Sequence, residues 1–311
     1  MNKIVQLGLM ALAAVLPLGC GSKSSPSTPS SPAAPTFNYA LDYFFGASGA
    51  VTMDFPAAMR LSGGTIWVAN SSSNDLQAWT TTGTLSDVVT TTFSGPFGGP
   101  TGVGIGADGY IYVSDSGNEQ VEVFSPVGHP YLNFGNTQLG GDYPSGVAVN
   151  STYAYMLDYP GAQVIRFTIS GTGAFKSYVS PVTFGTIATS GTLGTLDTPT
   201  NVNLDSQGNV YVADHGKQAI MKYNYAGVFQ AAVTASGMTY PDDVVVDGSG
   251  NLYIADYLNS EVRILNSAGG AVTTFGNATT FADLVGLSLD ASGNCYALDE
   301  GRCQIVVFNK Q

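Results

Sequence analysis

Residues 199–214 read PTNVNLDSQGNVYVAD, and residues 241–256 read PDDVVVDGSGNLYIAD. Both stretches begin with proline, alternate apolar residues with others, pass through a Gly-Asn turn and end on aspartate. Such alternation indicates a β-strand on each side of the turn, and the glycine supplies the positive φ that a tight hairpin requires. Each stretch therefore predicts one β-hairpin.

The hairpin recurs four more times, and every copy ends on Asp or Asn. The end positions are separated by 45, 43, 56, 42 and 43 residues. Repeats of about 40 to 50 residues built from short strands are typical of β-propeller blades. Because two further strands follow most copies, we expect an all-β, six-bladed β-propeller with four antiparallel strands per blade. The six end positions are Asn70, Asp115, Asp158, Asp214, Asp256 and Asp299.

The two ends of the repeat region complement each other. The last copy stops at Gln311 after its third strand, Ile305 to Phe308, and lacks a fourth strand. Residues 40–46, ALDYFFG, resemble the fourth strand of another copy, YLNFG at 131–135. We therefore predict that residues 39–45 pair with the last blade and close the ring, which removes two exposed sheet edges.

The shared pattern P-x-G-V-A-V-D-x-x-G-N-V-Y-V-A-D, followed by a turn such as DSGN at 115–118, resembles the NHL repeat. The resemblance covers residues 37–311 and implies a six-bladed propeller. It implies no single activity, because the family includes interaction modules, RNA readers, an amidating lyase and relatives among calcium-dependent lactonases.

Residues 1–19 have the layout of a signal peptide, with Lys3 before an apolar run that is too short for a comfortable membrane span. LPLGC at 16–20 resembles the bacterial lipobox, although Pro17 stands where leucine is usual. The resemblance implies lipidation of Cys20, and ordinary cleavage that releases a secreted protein is the alternative. Cys20 is followed by Gly21 and Ser22, without the aspartate that resembles an inner-membrane retention signal, so we expect an outer-membrane or cell-surface location. Residues 20–36, rich in Ser, Pro and Thr, predict a disordered tether.

The chain is acidic, with 10 Lys and Arg against 22 Asp and Glu and a net charge of −12. Binding to nucleic-acid phosphates requires a basic face, so this charge argues against a nucleic-acid partner. It also disfavours docking on anionic lipid head groups. We therefore expect contact with the membrane only through the lipid anchor, and a protein or saccharide partner at the envelope.

Ligands of propellers usually bind where the innermost strands begin, which here is just after each proline. Asn201, Asp242 and Asp243 are the polar candidates for part of a calcium site there, although calcium requires about six to eight oxygen ligands. The alternative is that these residues are solvated or hydrogen-bond to backbone amides. The two histidines cannot form a three-histidine zinc site, and His215 next to Asp214 is explained by a turn contact. We expect no cofactor, with calcium as the alternative.

Other residues remain weaker candidates. Tyr159, Tyr225 and Tyr257 fall in turns, where exposed tyrosines are common in binding surfaces. Cys295 and Cys303 lie in the last copy, and the sequence leaves open whether they form a disulfide.

The predicted channel mouth lacks a nucleophile with a positioned base, a histidine cluster and a rich carboxylate set. The sequence therefore favours a non-enzymatic interaction module at the cell envelope. A calcium-dependent hydrolase or lactonase is the alternative function. A structural component of a surface layer or fibre is a second alternative, which the weakly charged, Thr/Gly/Ser-rich surface permits.

Overall fold

The computed structural model describes residues 39–46, 53–186 and 194–311. The predicted signal peptide, the lipidation site Cys20 and the tether lie outside the described residues. Six four-stranded antiparallel sheets form a ring, which confirms the predicted six-bladed β-propeller. Across the described ranges, no helix has the length and apolar character needed to cross a membrane.

The first strand in the chain belongs to the last blade, and the next blades form from consecutive strands. The first strand is β1 (Tyr39–Phe45). Blade 1 contains β2 (Pro56–Ser62), β3 (Thr65–Asn70), β4 (Asp75–Thr80) and β5 (Leu85–Val89). Blade 2 contains β6 (Pro100–Ile105), β7 (Ile111–Asp115), β8 (Gln120–Phe124) and β9 (Pro130–Phe134). Blade 3 contains β10 (Pro144–Val149), β11 (Tyr153–Asp158), β12 (Gln163–Ser170) and β13 (Ser177–Phe184).

The second half of the ring repeats this plan, and the last blade takes its outer strand from the start of the chain. Blade 4 contains β14 (Pro199–Leu204), β15 (Val210–Asp214), β16 (Ala219–Tyr223) and β17 (Phe229–Val233). Blade 5 contains β18 (Pro241–Val246), β19 (Leu252–Asp256), β20 (Glu261–Leu265) and β21 (Ala271–Phe275). Blade 6 contains β22 (Leu284–Leu289), β23 (Cys295–Asp299) and β24 (Gln304–Lys310), together with β1. The short helix α1 (Asn136–Leu139) and the 3-10 turns Ser116–Asn118, Gly173–Phe175 and Tyr257–Asn259 lie between strands.

Ring closure follows the prediction, because β1 pairs antiparallel with β24. Phe45 lies opposite Ile305 at one end of this pairing. A bulge between Leu41 and Tyr43 leaves Asp42 out of the register, and its carboxylate accepts a hydrogen bond from the Asn309 side chain at 2.9 Å. The closing strand thus adds a full outer strand to blade 6.

The closing strand also contacts blade 5. The Tyr39 ring stacks on Phe275 with its centroid 4.5 Å away. The Tyr39 hydroxyl donates to the carbonyl of Gly293, in the β22–β23 turn, at 2.8 Å. Because these contacts join β1 to both of the last two blades, closure involves packing as well as strand pairing.

The apolar core lies between neighbouring blades. Tyr155 and Val164 of blade 3, for example, pack in one cluster with Val212 and Met221 of blade 4. The second strand of each blade is almost entirely buried, which accounts for runs such as residues 210–214, VYVAD. Packing between blades therefore explains most of the aromatic residues, as the alternating pattern predicts.

In four blades the strand-end carboxylate, that of Asp115, Asp214, Asp256 or Asp299, holds the hairpin to the segment that enters its own blade. Asp115 accepts a hydrogen bond from the Gly98 amide at 2.7 Å. Asp214 accepts from the amides of Asp197 and Thr198 at 2.8 and 3.1 Å. These side chains are fully buried, so their role is structural. Asn70 differs, because its amide donates to the Asp75 carboxylate at 2.7 Å.

The disulfide that the sequence left open is not formed, because Cys295 is a buried free cysteine. Cys295 begins β23 and lies opposite Phe308, whereas Cys303 precedes Gln304, which faces the other end of β23 at Asp299. A strand rises about 3.3 Å per residue, so the two cysteines are about 13 Å apart along the strand. That separation exceeds the reach of a disulfide.

We expect a truncated chain that begins at Val51 to unfold at a much lower temperature, because β24 loses its partner and the apolar contacts of β1. Burial of side chains such as Phe45 and Tyr39 predicts a loss of about 3 kcal/mol or more in the free energy of unfolding. The measurement is thermal unfolding followed by circular dichroism. The control begins at Phe37, keeps β1 and should unfold like the full chain. Equal melting temperatures for the two truncated chains would contradict the closure.

Candidate functional site

A cavity of about 210 Å³ lies at the end of the ring where the innermost strands begin. All six blades contribute to it. Its lining residues are Ala57, Thr101, Ser116, Tyr143, Ser145, Tyr159, Thr200, His215, Tyr240, Asp242, Val285 and Glu300. We call this cavity the mouth pocket and this end of the ring the mouth face.

A repeated β-bulge positions the inner part of the lining. In blade 2, Pro100 pairs with Asp115 and Gly102 with Ser114, so Thr101 is left out of the pairing. The same register shift follows the first residue of each innermost strand in the other blades. A bulge redirects a side chain that would otherwise alternate with its neighbours. The released residues, which we call the bulge ring, are Ala57, Thr101, Ser145, Thr200, Asp242 and Val285.

The bulge ring confirms the sequence-based location of the mouth, since each member directly follows the first residue of an innermost strand. A second set of lining residues lies in the turns after the second strands; from the sequence, Tyr159 was a candidate and His215 was explained by a turn contact, whereas Ser116 and Glu300 were missed. Ser116, Tyr159, His215 and Glu300 each follow a strand-end Asp. Because the turn between the second and third strands of a blade lies at the mouth face, the position after each strand-end residue is the sequence signal that would have found Glu300.

Two carboxyl groups face the pocket from adjacent blades. Burial, followed by the neighbouring Asp243 carboxylate, raises the pKa of Asp242 to about 8. Burial, followed by the negative charges of Asp242, Asp283 and Asp299, raises the pKa of Glu300 to about 8. The two groups therefore disfavour each other's ionised form and titrate well above the usual range of carboxylic acids.

Aromatic rings form the walls of the pocket. The His215 and Tyr240 rings stack with centroids 3.9 Å apart, and Tyr257 packs against Tyr240 at 5.4 Å. On another side, Tyr143 and Tyr159 stack at 5.8 Å. Burial and the charge of Asp242 raise the pKa of Tyr240 to about 12. The Tyr240 phenol therefore stays neutral at physiological pH.

His215 forms an aromatic wall of the pocket and is not paired with Asp214 as a catalytic base. Burial lowers its pKa, and the charges of Asp214 and Asp197 offset this effect only partly. Its Nδ1 atom is buried and lacks a hydrogen-bond partner among the described residues. The Asp214 carboxylate instead accepts backbone amides, including that of Lys217 at 3.1 Å. The two neighbouring side chains therefore do not act as a unit.

The three calcium candidates do not share a site. Asp243 is fully buried and forms an ion pair at 2.9 Å with Arg60, which reaches it from blade 1. Its carboxylate also accepts the Leu287 amide of blade 6 at 2.9 Å. The Asn201 side-chain oxygen accepts the amide of Val202 at 2.9 Å. Both side chains thus stabilise the packing of the innermost strands. This agrees with the alternative interpretation of the sequence, in which they hydrogen-bond to backbone amides. Of the three candidates, only Asp242 lines the pocket.

The bulge explains why the side chains of Asp242 and Asp243, which are neighbours in the sequence, point in different directions. The residue after each bulge points at the innermost strand of the next blade, where space is short. A Cβ at Gly102 would lie 2.4 Å from the Ser145 carbonyl oxygen, for example. Among the residues that the structure describes, no group of three His, Cys, Asp or Glu side chains is arranged to hold a metal ion.

The three turn tyrosines do not form one patch. Tyr159 and Tyr257 follow strand-end aspartates and lie at the mouth face. Tyr225 lies in the β16–β17 turn, and because successive strands run in opposite directions this turn is at the opposite face. Tyr225 is 53% exposed there and stacks on Tyr153 at 6.2 Å.

Comparisons with known proteins establish the fold alone. A streptogramin B lyase structure is 12% identical with a TM-score of 0.62, and the match covers 88% of this chain and 98% of that one. A protein of unknown function from Bacteroides thetaiotaomicron is 16% identical with a TM-score of 0.64, covering 85% and 71%. A structure of the nidogen/laminin complex is 18% identical with a TM-score of 0.55, covering 75% and 84%. No family model and no curated protein matches the chain, so the NHL resemblance stays a prediction from its motif.

The raised pKa of Asp242 predicts a pH-dependent stability. Between the ordinary pKa of about 3.9 and the folded pKa, the folded state keeps a proton that the unfolded state has released. The free energy of unfolding therefore falls as the pH rises from about 4 to about 8. We expect Asp242→Asn to remove this loss and to raise the melting temperature at pH 9 by at least about 2 °C.

At pH 4, the same substitution should leave the melting temperature nearly unchanged, because the carboxyl is then protonated in the folded protein. The matched control is Asp87→Asn, which removes one exposed carboxylate on the outer strand β5. A decrease in stability at pH 9 for Asp242→Asn would show that its charge is compensated in the folded state.

Proposed function

We propose that this protein is an exported, lipid-anchored propeller that acts as a non-enzymatic recognition module at the bacterial cell envelope. Its mouth face binds a protein or saccharide partner. The observation that carries the proposal is the mouth pocket, to which five of the six blades contribute aromatic, hydroxyl or carboxyl groups, while blade 1 contributes Ala57. Concave sites with apolar walls and a few convergent polar groups are the usual places for ligands to bind.

The hydroxyl groups of the pocket support recognition over catalysis. The Ser116 hydroxyl donates to the Pro144 carbonyl at 2.5 Å and contacts the Thr101 hydroxyl. The Ser145 hydroxyl has no hydrogen-bond partner among the described residues, and neither does Nδ1 of His215. A nucleophile would need a base within hydrogen-bonding distance, and the described pocket does not pair these groups.

The alternatives have less support. A calcium-dependent hydrolase would need oxygen ligands beyond Asp242, whereas Asp243 is paired with Arg60. A surface-layer or fibre component would need self-association, which size-exclusion chromatography of the protein would detect. The fold itself is compatible with partner binding, because solved structures of similar fold include a nidogen/laminin complex and a hydrazine synthase.

The proposed location can be tested at Cys20. We expect Cys20→Ser to move the protein from the membrane fraction to the soluble fraction, because the substitution removes the thiol that would carry the lipid. The measurement is immunoblotting of cell fractions, with intact mass of the mature chain to detect the diacylglyceryl group. Ser25→Ala in the tether is the control and should stay with the membrane. An unmodified mature chain in the wild type would refute the anchor.

The proposed binding face can be tested by photo-crosslinking in intact cells. Leu258 is 64% exposed in the β19–β20 turn at the mouth face, and Phe175 is 87% exposed in the β12–β13 turn at the opposite face. We expect benzoylphenylalanine at position 258, and not at position 175, to form a defined crosslinked species. Gel mobility and mass spectrometry would then identify a protein or a glycan. Crosslinks from position 175 alone would place the binding surface on the opposite face.

A further inference from the structure

The charge of the mouth pocket has one sign. Asp242 and Glu300 line it, and none of the twelve described lining residues is lysine or arginine. The nearby cation Arg60 is already paired with Asp243 on the channel side. A negative site without a counter-ion is costly to keep ionised, and binding of a cation would relieve the repulsion between the two carboxyls.

These two carboxyls differ from the strand-end aspartates in their partners. Asp299, for example, accepts hydrogen bonds from the amides of Ala282 and Asp283 and from the Arg302 side chain. By contrast, burial and like charges alone act on Asp242 and Glu300, and no described residue donates a hydrogen bond to either carboxyl. Their acceptor capacity is therefore free for a ligand.

A second observation also points to a ligand. Two polar atoms of lining residues, Ser145 Oγ and His215 Nδ1, are buried and have no hydrogen-bond partner among the described residues. Buried polar atoms in native proteins nearly always have a partner. Both atoms belong to residues that line the mouth pocket, so a bound group is a candidate partner for them.

The walls and the volume narrow the chemistry of that group. Aromatic rings such as those of Tyr143, Tyr159 and Tyr240 in the lining favour an organic cation, whereas a calcium ion is held by oxygen ligands. Pockets for drug-sized molecules measure about 300 to 1,000 Å³. A cavity of about 210 Å³ therefore fits one side chain better than an oligosaccharide.

We propose that the mouth pocket binds the ammonium group of a lysine side chain from a protein partner. Asp242 and Glu300 act as its counter-ions, and the tyrosine and histidine rings enclose its alkyl chain. This inference rests on the proposed recognition function and names the group that is recognised. It assigns the pocket to a protein rather than to a saccharide.

The test uses n-butylammonium chloride, which reproduces the end of a lysine side chain, in a ligand-observed NMR titration of the full chain at pH 8.5. We expect saturable binding, at least tenfold tighter than that of n-butanol, which has the same length and no charge. Asp242→Asn and Glu300→Gln should each weaken the binding at least tenfold. Asp87→Asn removes an equal charge outside the pocket and should leave the affinity unchanged.

The pH dependence separates this site from an ordinary exposed carboxylate. Because the pKa values of both carboxyls are raised to about 8, the affinity should rise at least about tenfold from pH 6 to pH 9. The ligand keeps its charge up to about pH 10. Burial raises the pKa of Tyr159, Tyr240 and Tyr257, so these phenols stay protonated, and burial lowers the pKa of His215, which moves its titration towards or below the low end of this range.

Three results would overturn the inference. The first is equal binding of n-butylammonium and n-butanol, and the second is an affinity that does not change between pH 6 and pH 9. The third is stoichiometric calcium or saturable cellotriose binding that Asp242→Asn abolishes, without a response to n-butylammonium. If mouth-face crosslinks form while n-butylammonium does not bind, the recognition function stands and only the lysine assignment falls.

Discussion

The antiparallel pairing of β1 with β24 is the constraint on which the remaining architecture depends. The bulge-ring residues converge on the mouth pocket from all six blades only because the ring is closed. The chain achieves this closure with strands that lie more than 250 residues apart, joined at pairs such as Leu41 and Phe308. Contacts of Tyr39 with Phe275 extend the closure to the neighbouring blade. The ends of the chain thus determine the geometry of its centre.

Within this ring, the polar side chains that hold the fold together are buried, and they are distinct from the polar side chains that face the pocket. The strand-end carboxylates are buried and accept hydrogen bonds, and in four blades they hold the loop that enters the blade. Asp243 belongs with them, since Arg60 and the Leu287 amide occupy its oxygens. Asp242, its neighbour in sequence, faces the pocket with no such partner. Chemistry at the mouth is therefore carried by few residues, and the remaining polar groups nearby maintain the fold.

The sequence predicted the blades, the closure and the location of the mouth, because local alternation and repeat spacing determine these features directly. It did not separate Asp242 from Asp243, since the bulge that turns them apart appears only in the strand register. It missed Glu300 because that residue approaches the pocket from a turn, and it grouped Tyr225 with Tyr159 although strand direction places them on opposite faces. The Cys295–Cys303 pairing stayed undecided for the same reason, as the register had to be known.

The unpaired residue in each bulge has a consequence for the history of such proteins. Because this residue takes no part in the strand ladder, exchange at a position such as Ser145, whose hydroxyl has no partner among the described residues, changes the inner wall of the cavity while the sheet beneath is preserved. Substitutions at these positions during evolution could therefore change ligand preference one blade at a time. Propellers of this fold are therefore expected to keep the same sheets and to differ in the ligands that they select. Low sequence identity among proteins of this fold is compatible with such divergence.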